Sequence, residues 1–153
     1  MIVVSDTSPL TALLTVEQAD ILPQLFREVV IPEAVETELR RCHANLPGWL
    51  RVEPLRDQSR AEHYAKTLDR GEAEAIALAQ ELCADHLLID ERKGRKLARQ
   101  QGLSVVGLLG VVLLARRRNL ITSARALLLR LDHEAGVYLR DDLKEAALKT
   151  VDE

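Results

Sequence analysis

Short unbroken apolar runs alternate along the chain with longer stretches whose apolar positions recur every three to four residues. Ile2 to Val4 is the first run, β-branched and continuous, as expected of a strand buried on both faces of a parallel sheet. It ends in Ser5-Asp6-Thr7-Ser8-Pro9-Leu10, where Ser8 is placed to cap a helix that starts at Pro9 and runs through Leu14. A helical stretch from Ala19 to Phe26 precedes the run Val29 to Ile31, and Pro32 then opens a helix to about Cys42. Asn45-Leu46-Pro47-Gly48 is turn chemistry, and Trp49 to Leu55 predicts a third, peripheral strand. Ser59 to Leu68 reads as helix, and Asp69-Arg70-Gly71 as a break before a strong helix from Glu72 to Cys83. Leu87 to Ile89 predicts a fourth strand ending at Asp90, and Val105-Val106 a fifth. Leu108 to Arg118 is helical, with Arg116, Arg117 and Arg118 at the negative end of its dipole. Ser123 to Leu131 and Asp142 to Val151 predict two amphipathic helices around a turn at Gly136.

Strands alternating with helices indicate an α/β fold with a parallel sheet. Ligands of such sheets bind outside the carboxyl ends of the strands, which directs attention to Asp6, after the first strand, and Asp90, after the fourth. The length of 153 residues suits a single domain, with a core over about residues 1–120 and a helical segment over about 121–153.

Helical stepping adds two more acids. In Gly71-Glu72-Ala73-Glu74-Ala75-Ile76, Glu72 shares a stripe with Ile76, Ala79 and Cys83, whereas Glu74 falls opposite, beside Glu81, where it needs no partner. An acid on a core stripe must be paired, metal-bound or protonated. In the helix after Pro32, Ile31, Val35, Leu39 and Cys42 form the apolar stripe; Glu38 borders it, and Glu36 lies farther away. Asp6, Glu38, Glu72 and Asp90 are therefore the candidate catalytic acids. Convergent carboxylates without histidine or thiol suit a hard cation, Mg²⁺ or Mn²⁺, held by Asp6, Glu72 and Asp90. Such ions activate water for attack on a phosphodiester.

Composition narrows the partners. A hydrophobic share of 47% promises a packed core, while 3% aromatics provide no aromatic-rich platform for stacking bases. A net charge of -3 excludes binding to nucleic acid through the overall field, so phosphate contacts must be local. Arg92-Lys93-Gly94-Arg95-Lys96, just after Asp90, supplies them, and Thr7 and Ser8 add hydroxyls beside Asp6. Cys42 and Cys83, each within an apolar helical pattern, are expected to be buried, which fits a reducing compartment. With no basic leader before Asp6, and with Leu103 to Ala115 too short to span a bilayer, a cytoplasmic protein without membrane contact is expected.

Val3-Val4-Ser5-Asp6-Thr7-Ser8-Pro9-Leu10, the Glu38 helix, Gly71-Glu72-Ala73-Glu74-Ala75-Ile76 and Leu87-Leu88-Ile89-Asp90 together resemble the PIN-domain nucleases. These include the VapC-type toxins of bacterial and archaeal toxin–antitoxin pairs. The closest form is similar to a PIN-like subgroup with an Asp-Thr-Ser-Pro-Leu start and a Gly-Glu-x-x-Ala-Ile helix. The resemblance covers roughly residues 1–120 and implies a three-layer α/β/α domain with sheet order 3-2-1-4-5 and homodimers. It also implies RNA as substrate, cut by water with Mg²⁺ or Mn²⁺ to leave a 5′-phosphate and a 3′-hydroxyl, and, for a toxin, a cognate antitoxin. A catalytically silent RNA- or protein-binding module, or a nuclease of RNA processing, is the alternative.

Overall fold

The apolar runs become strands because each must hide side chains on both faces. In the computed structural model, which describes residues 1–153, these are β1 (Ile2–Ser5), β2 (Glu28–Ile31), β3 (Leu50–Val52), β4 (His86–Leu88) and β5 (Val105–Val106). They form one parallel sheet in the order β3-β2-β1-β4-β5, in agreement with the expected 3-2-1-4-5. Successive side chains point to opposite faces. Val3, Val29, Ile31 and Leu88 enter one core, and Val4, Val30, Leu87 and Ile89 the other.

Helices cover both faces. The first core is closed by α1 (Thr7–Thr15), α2 (Ile21–Leu25), α3 (Glu33–Cys42), α7 (Leu108–Arg117), α8 (Ala124–Ala135) and α9 (Asp141–Lys149). The second is closed by α4 (Ser59–Tyr64), α5 (Arg70–Glu81) and α6 (Arg92–Gln100). This is the three-layer α/β/α arrangement. The two C-terminal helices are part of the first core, through Leu127, Leu128, Leu131, Leu148 and Val151. No helix is long and apolar enough to cross a membrane.

Several local expectations need correction. Ser8 does not cap α1: the helix begins at Thr7, with Asp6 in the extended conformation before it and no side-chain cap. Asp69-Arg70-Gly71 is not a break. Asp69 is the N-cap of α5, accepting from Glu72 N at 2.8 Å, and Arg70 and Gly71 form the first turn. The helix beginning at Ser59 stops at Tyr64 rather than Leu68. Cys42 and Cys83 are exposed, not buried. Cys42 is the last residue of α3, past its inner anchors Val35 and Leu39, and Cys83 lies beyond the end of α5 with φ +50°, off the helical stripe.

Glu74 is the instructive miss, because it is as buried as Glu72, each at 6% exposure. Periodicity identifies an outward face only when a helix has one. α5 is enclosed from Gly71 to Ala79 by β1, β4, α3, α4 and α6, and its alanines allow that close approach. Glu74 is satisfied structurally, by Ala34 N at 3.2 Å and Arg70 Nε at 3.0 Å, so it bridges α5 to α3.

Glu153 fastens the last residues described to the start of α8. Its carboxylate accepts from Ala124 N at 2.7 Å, Ser123 Oγ at 2.8 Å, Arg125 N at 3.1 Å and Arg116 Nε at 3.2 Å. The backbone amide of Ala124, followed by the Ser123 hydroxyl, the Arg125 amide and Arg116, lowers its pKa from 4.5 to about 2. A carboxyl depressed on folding contributes stability above its unfolded pKa and loses it as pH falls through the folded value. Between pH 4.5 and 2 the melting temperature of the wild type should therefore fall more steeply than that of Glu153→Gln. Parallel melting curves over that range would remove Glu153 from the acid response.

Candidate functional site

The sheet order places β1 beside β4 although β2 and β3 intervene in the chain, so the crevice at the carboxyl ends of β1 and β4 is the topological switch point. Asp6 and Asp90 rise from its two sides, and Asp6 N donates to Leu88 O at 2.9 Å. Asp6 is 5% exposed. Burial lifts its carboxyl from 3.8 to about 7; the Thr7 amide pulls it back in part, and the charges of Asp69, Glu38 and Asp90 push it higher.

Two helices add acids from the side of β1. A Cβ on Gly71, in the first turn of α5, would lie 2.6 Å from Glu38 Oε1 and 3.5 Å from Asp6 Oδ1, so these oxygens flank one bare backbone position. Glu72, the next residue, points toward α6, where a Cβ on Gly94 would lie 3.1 Å from its Oε2. Burial holds the Glu72 carboxyl well above the usual carboxylate range. Contacts with the carboxylates of Asp69 and Glu91, and the charges of Asp69 and Asp6, add to the rise. Buried Glu72 Oε2 has no hydrogen-bond donor. A proton shared with Asp69 or Glu91, a water or a cation would satisfy it. Thr7 Oγ1 is likewise buried and unpartnered.

Asp90 closes the cluster from β4. Its Oδ1 accepts from Leu108 N at 2.9 Å, at the start of α7, and Gly107 leaves room where a Cβ would lie 2.8 Å from that oxygen. Burial raises the Asp90 carboxyl, while the Leu108 amide and the Arg95 guanidinium oppose the rise. Arg95 is held in place by Ile89 O at 2.9 Å. From Asp90 outward runs a cleft of about 370 Å³ lined solely by Asp90, Arg92, Arg95, Lys96 and Arg99. None of these cations except Arg95 hydrogen-bonds another protein group.

A PIN-domain family model matches residues 2–153. The chain belongs to the PIN-domain family. PIN domains are generally nucleases that bind nucleic acid and use divalent metals. In a direct sequence comparison, no curated protein matches this chain.

All four acids read from the sequence of this PIN domain thus stand around the same crevice. Arg92 and Arg95 line the cationic cleft beside them, whereas Lys93 lies against Glu91 and Lys96 and Arg99 take its place. Thr7 and Ser8 follow Asp6 at the head of α1, with Ser8 exposed. Sequence reasoning missed two acids, Asp69 and Glu91, which touch Glu72 and serve as N-caps of α5 and α6. Their signal was present in Asp69-x-x-Glu72 and in Glu91-x-x-Gly94, where an acid precedes a helix by one residue.

The donors fit a divalent ion in chemistry more fully than in geometry. No three His, Cys, Asp or Glu side chains stand close enough together to enclose an ion. The orphaned Glu72 Oε2, the raised carboxyls of Asp6, Glu72 and Asp90, and the all-oxygen donor set are nonetheless what a hard cation relieves.

Gly71 separates the demands of the site from those of the helix. Alanine at an exposed helix position would gain about 0.5–1 kcal/mol over glycine. Here its Cβ meets the mobile end of Glu38 at 2.6 Å, so Glu38 must swing away while the fold holds. Gly71→Ala should leave the melting temperature within a few degrees of wild type and, under the nuclease reading proposed below, lower cleavage about 10-fold or more. Unchanged activity in a folded Gly71→Ala variant would show that Glu38 is not needed where it stands.

Proposed function

We propose that this PIN domain is a metal-dependent endoribonuclease in which Asp6, Glu72 and Asp90 hold Mg²⁺ or Mn²⁺ and Glu38 orients the surrounding water. The observation that carries this reading is the buried, donorless Glu72 Oε2 in a cluster of carboxylates at the switch point. A divalent ion there supplies an activated water and stabilises the charge that develops on the phosphodiester. The chain's own residues do the rest. Arg92, Arg95, Lys96 and Arg99 hold the phosphates of the strand, and Thr7 and Ser8 offer hydroxyls beside Asp6. Arg95, pinned to Ile89 O, keeps a positive charge next to Asp90. Leu108 N fixes the orientation of the Asp90 carboxylate.

Purified protein should cut single-stranded RNA when Mn²⁺ or Mg²⁺ is added, stop on chelation, and leave 5′-phosphate and 3′-hydroxyl ends. Absence of cutting across a diverse RNA pool with either ion would refute the reading. Cutting of DNA alone would move the substrate class.

Within the family we read the chain as VapC-like: a cytoplasmic homodimer, one unit over residues 1–153, and the toxin of a type II toxin–antitoxin pair. Expression alone should then arrest growth, and co-expression of a cognate antitoxin should restore it. Growth without arrest would favour a role in RNA processing. The open spacing of the acids favours a second reading, a silent PIN-like binding module. That reading predicts no thermal stabilisation by Mn²⁺ at any pH.

A further inference from the structure

We propose that Tyr138 and the slot beneath it hold one nucleobase of the bound strand, next to a phosphate held by the cations of α6; this rests on the reading above that the substrate is RNA. Residues 136–140 form an irregular link between α8 and α9. The link borders a cavity of about 270 Å³ whose walls include Leu108, Val137, Leu139 and Tyr138 and whose polar rim is Ser8 and Asp90. That volume is just under the range of about 300–1,000 Å³ typical of drug-sized ligands, and suits one planar ring system.

No hydrogen bond fixes the Tyr138 side chain. Of the four aromatic rings in the chain, Phe26 and Tyr64 are buried, Trp49 donates to Asp20 at 2.9 Å, and Tyr138 is 81% exposed. It is the most exposed of the four rings and the one that lines a cavity beside Asp90. Sequence composition excluded an aromatic platform, but a single ring needs none, and stacking tolerates any base because every base has a π-face.

Of the three cavities that share Asp90, the one along α6 and the one beneath Tyr138 divide as a nucleotide does. On one side the lining is wholly charged, with four cations for the backbone. On the other it is mainly apolar and carries the ring, while Asp90 repels any second anion from the slot. A strand whose phosphates lie on Arg92, Arg95, Lys96 and Arg99 would run its sugar–phosphate chain along α6 and turn the adjacent base into the slot. Ser8, at the rim, would offer a hydroxyl to the base edge.

The test uses the full chain and single-stranded RNA carrying 2-aminopurine at successive positions, titrated in chelator so that nothing is cut. Emission should be quenched at one position, and an abasic site there should weaken binding about 5- to 100-fold. Tyr138→Ala should weaken binding of the intact strand by a similar factor and abolish the abasic effect; Tyr138→Phe should restore both. An unchanged melting temperature of the alanine variant, expected for so exposed a side chain, verifies folding. Equal binding and equal abasic sensitivity in wild type and Tyr138→Ala would overturn the proposal, as would failure of the wild type to bind any single-stranded RNA. The same strands are then incubated with Mn²⁺. A base slot without cutting would leave the slot standing and fail the nuclease reading, whereas cutting that ignores Tyr138 would do the reverse.

Discussion

Asp6→Asn should abolish Mn²⁺-dependent cleavage, by at least about 100-fold, and at the same time make the metal-free protein more stable. Both effects follow from one position. Asp6 sits at the end of β1, 5% exposed, within the field of Asp69, Glu38 and Asp90. An asparagine keeps the size and an oxygen for the Thr7 amide but carries no charge to be desolvated or repelled. Raising the carboxyl from 3.8 to about 7 corresponds to a cost on the order of 4 kcal/mol when it is ionised in the fold. Its removal should raise stability above pH 7 by roughly 1–4 kcal/mol, or about 2–4 °C in melting temperature per kcal/mol for a chain of this size. Most substitutions of buried residues destabilise, so the sign is diagnostic. Thermal melts in chelator, paired with cleavage of one RNA, would decide it. An Asp6→Asn protein that melts lower and still cuts would place Asp6 among ordinary structural residues.

The second large effect is the opposition of pH and metal. A carboxyl whose pKa is raised on folding binds more protons in the native state than in the unfolded chain between the two values. Stability in chelator then falls as pH rises through that window and levels off above it. For Asp6 the window runs from 3.8 to about 7. Glu72, raised by burial and by Asp69 and Glu91, extends the decline beyond it. Comparison with Asp6→Asn isolates the Asp6 part from the opposite trend of Glu153 at low pH. Metal ligands must be deprotonated, so Mn²⁺ should bind more tightly as pH rises, where the apo protein is weakest. At about 100 times its Kd, the ion stabilises by about 2.7 kcal/mol, a shift of roughly 5–10 °C. The shift should be largest near pH 8 and vanish near pH 5. A shift of equal size at both pH values would mean that the ion binds elsewhere, and none at either would support the silent module.

Much of the candidate site was legible because it depends on local features. Asp6 and Asp90 follow short apolar runs, and a run buried on both faces declares a strand wherever it sits. Glu72 showed itself as an acid on an apolar stripe. The residues that escaped depend on neighbours distant in sequence. Asp69 and Glu91 are helix caps that the sequence reading passed over, and their contact with Glu72 arises because the starts of α5 and α6 meet over it. Arg99 belongs to a charged face like any other until Asp90 turns it into a cleft. Tyr138 lies 48 positions beyond Asp90 in the sequence, and nothing near it signals that the two share a cavity.

The chain's own pattern thus determined the strands, most of the helices, and four of the acids at their places along the polypeptide, because burial and backbone propensity act over a few residues. Which acids face one another, which helix has no outer face, and where the lone exposed ring comes to rest were decided only by packing. Those properties are set by distances between segments far apart in sequence, and a one-dimensional pattern carries no record of them.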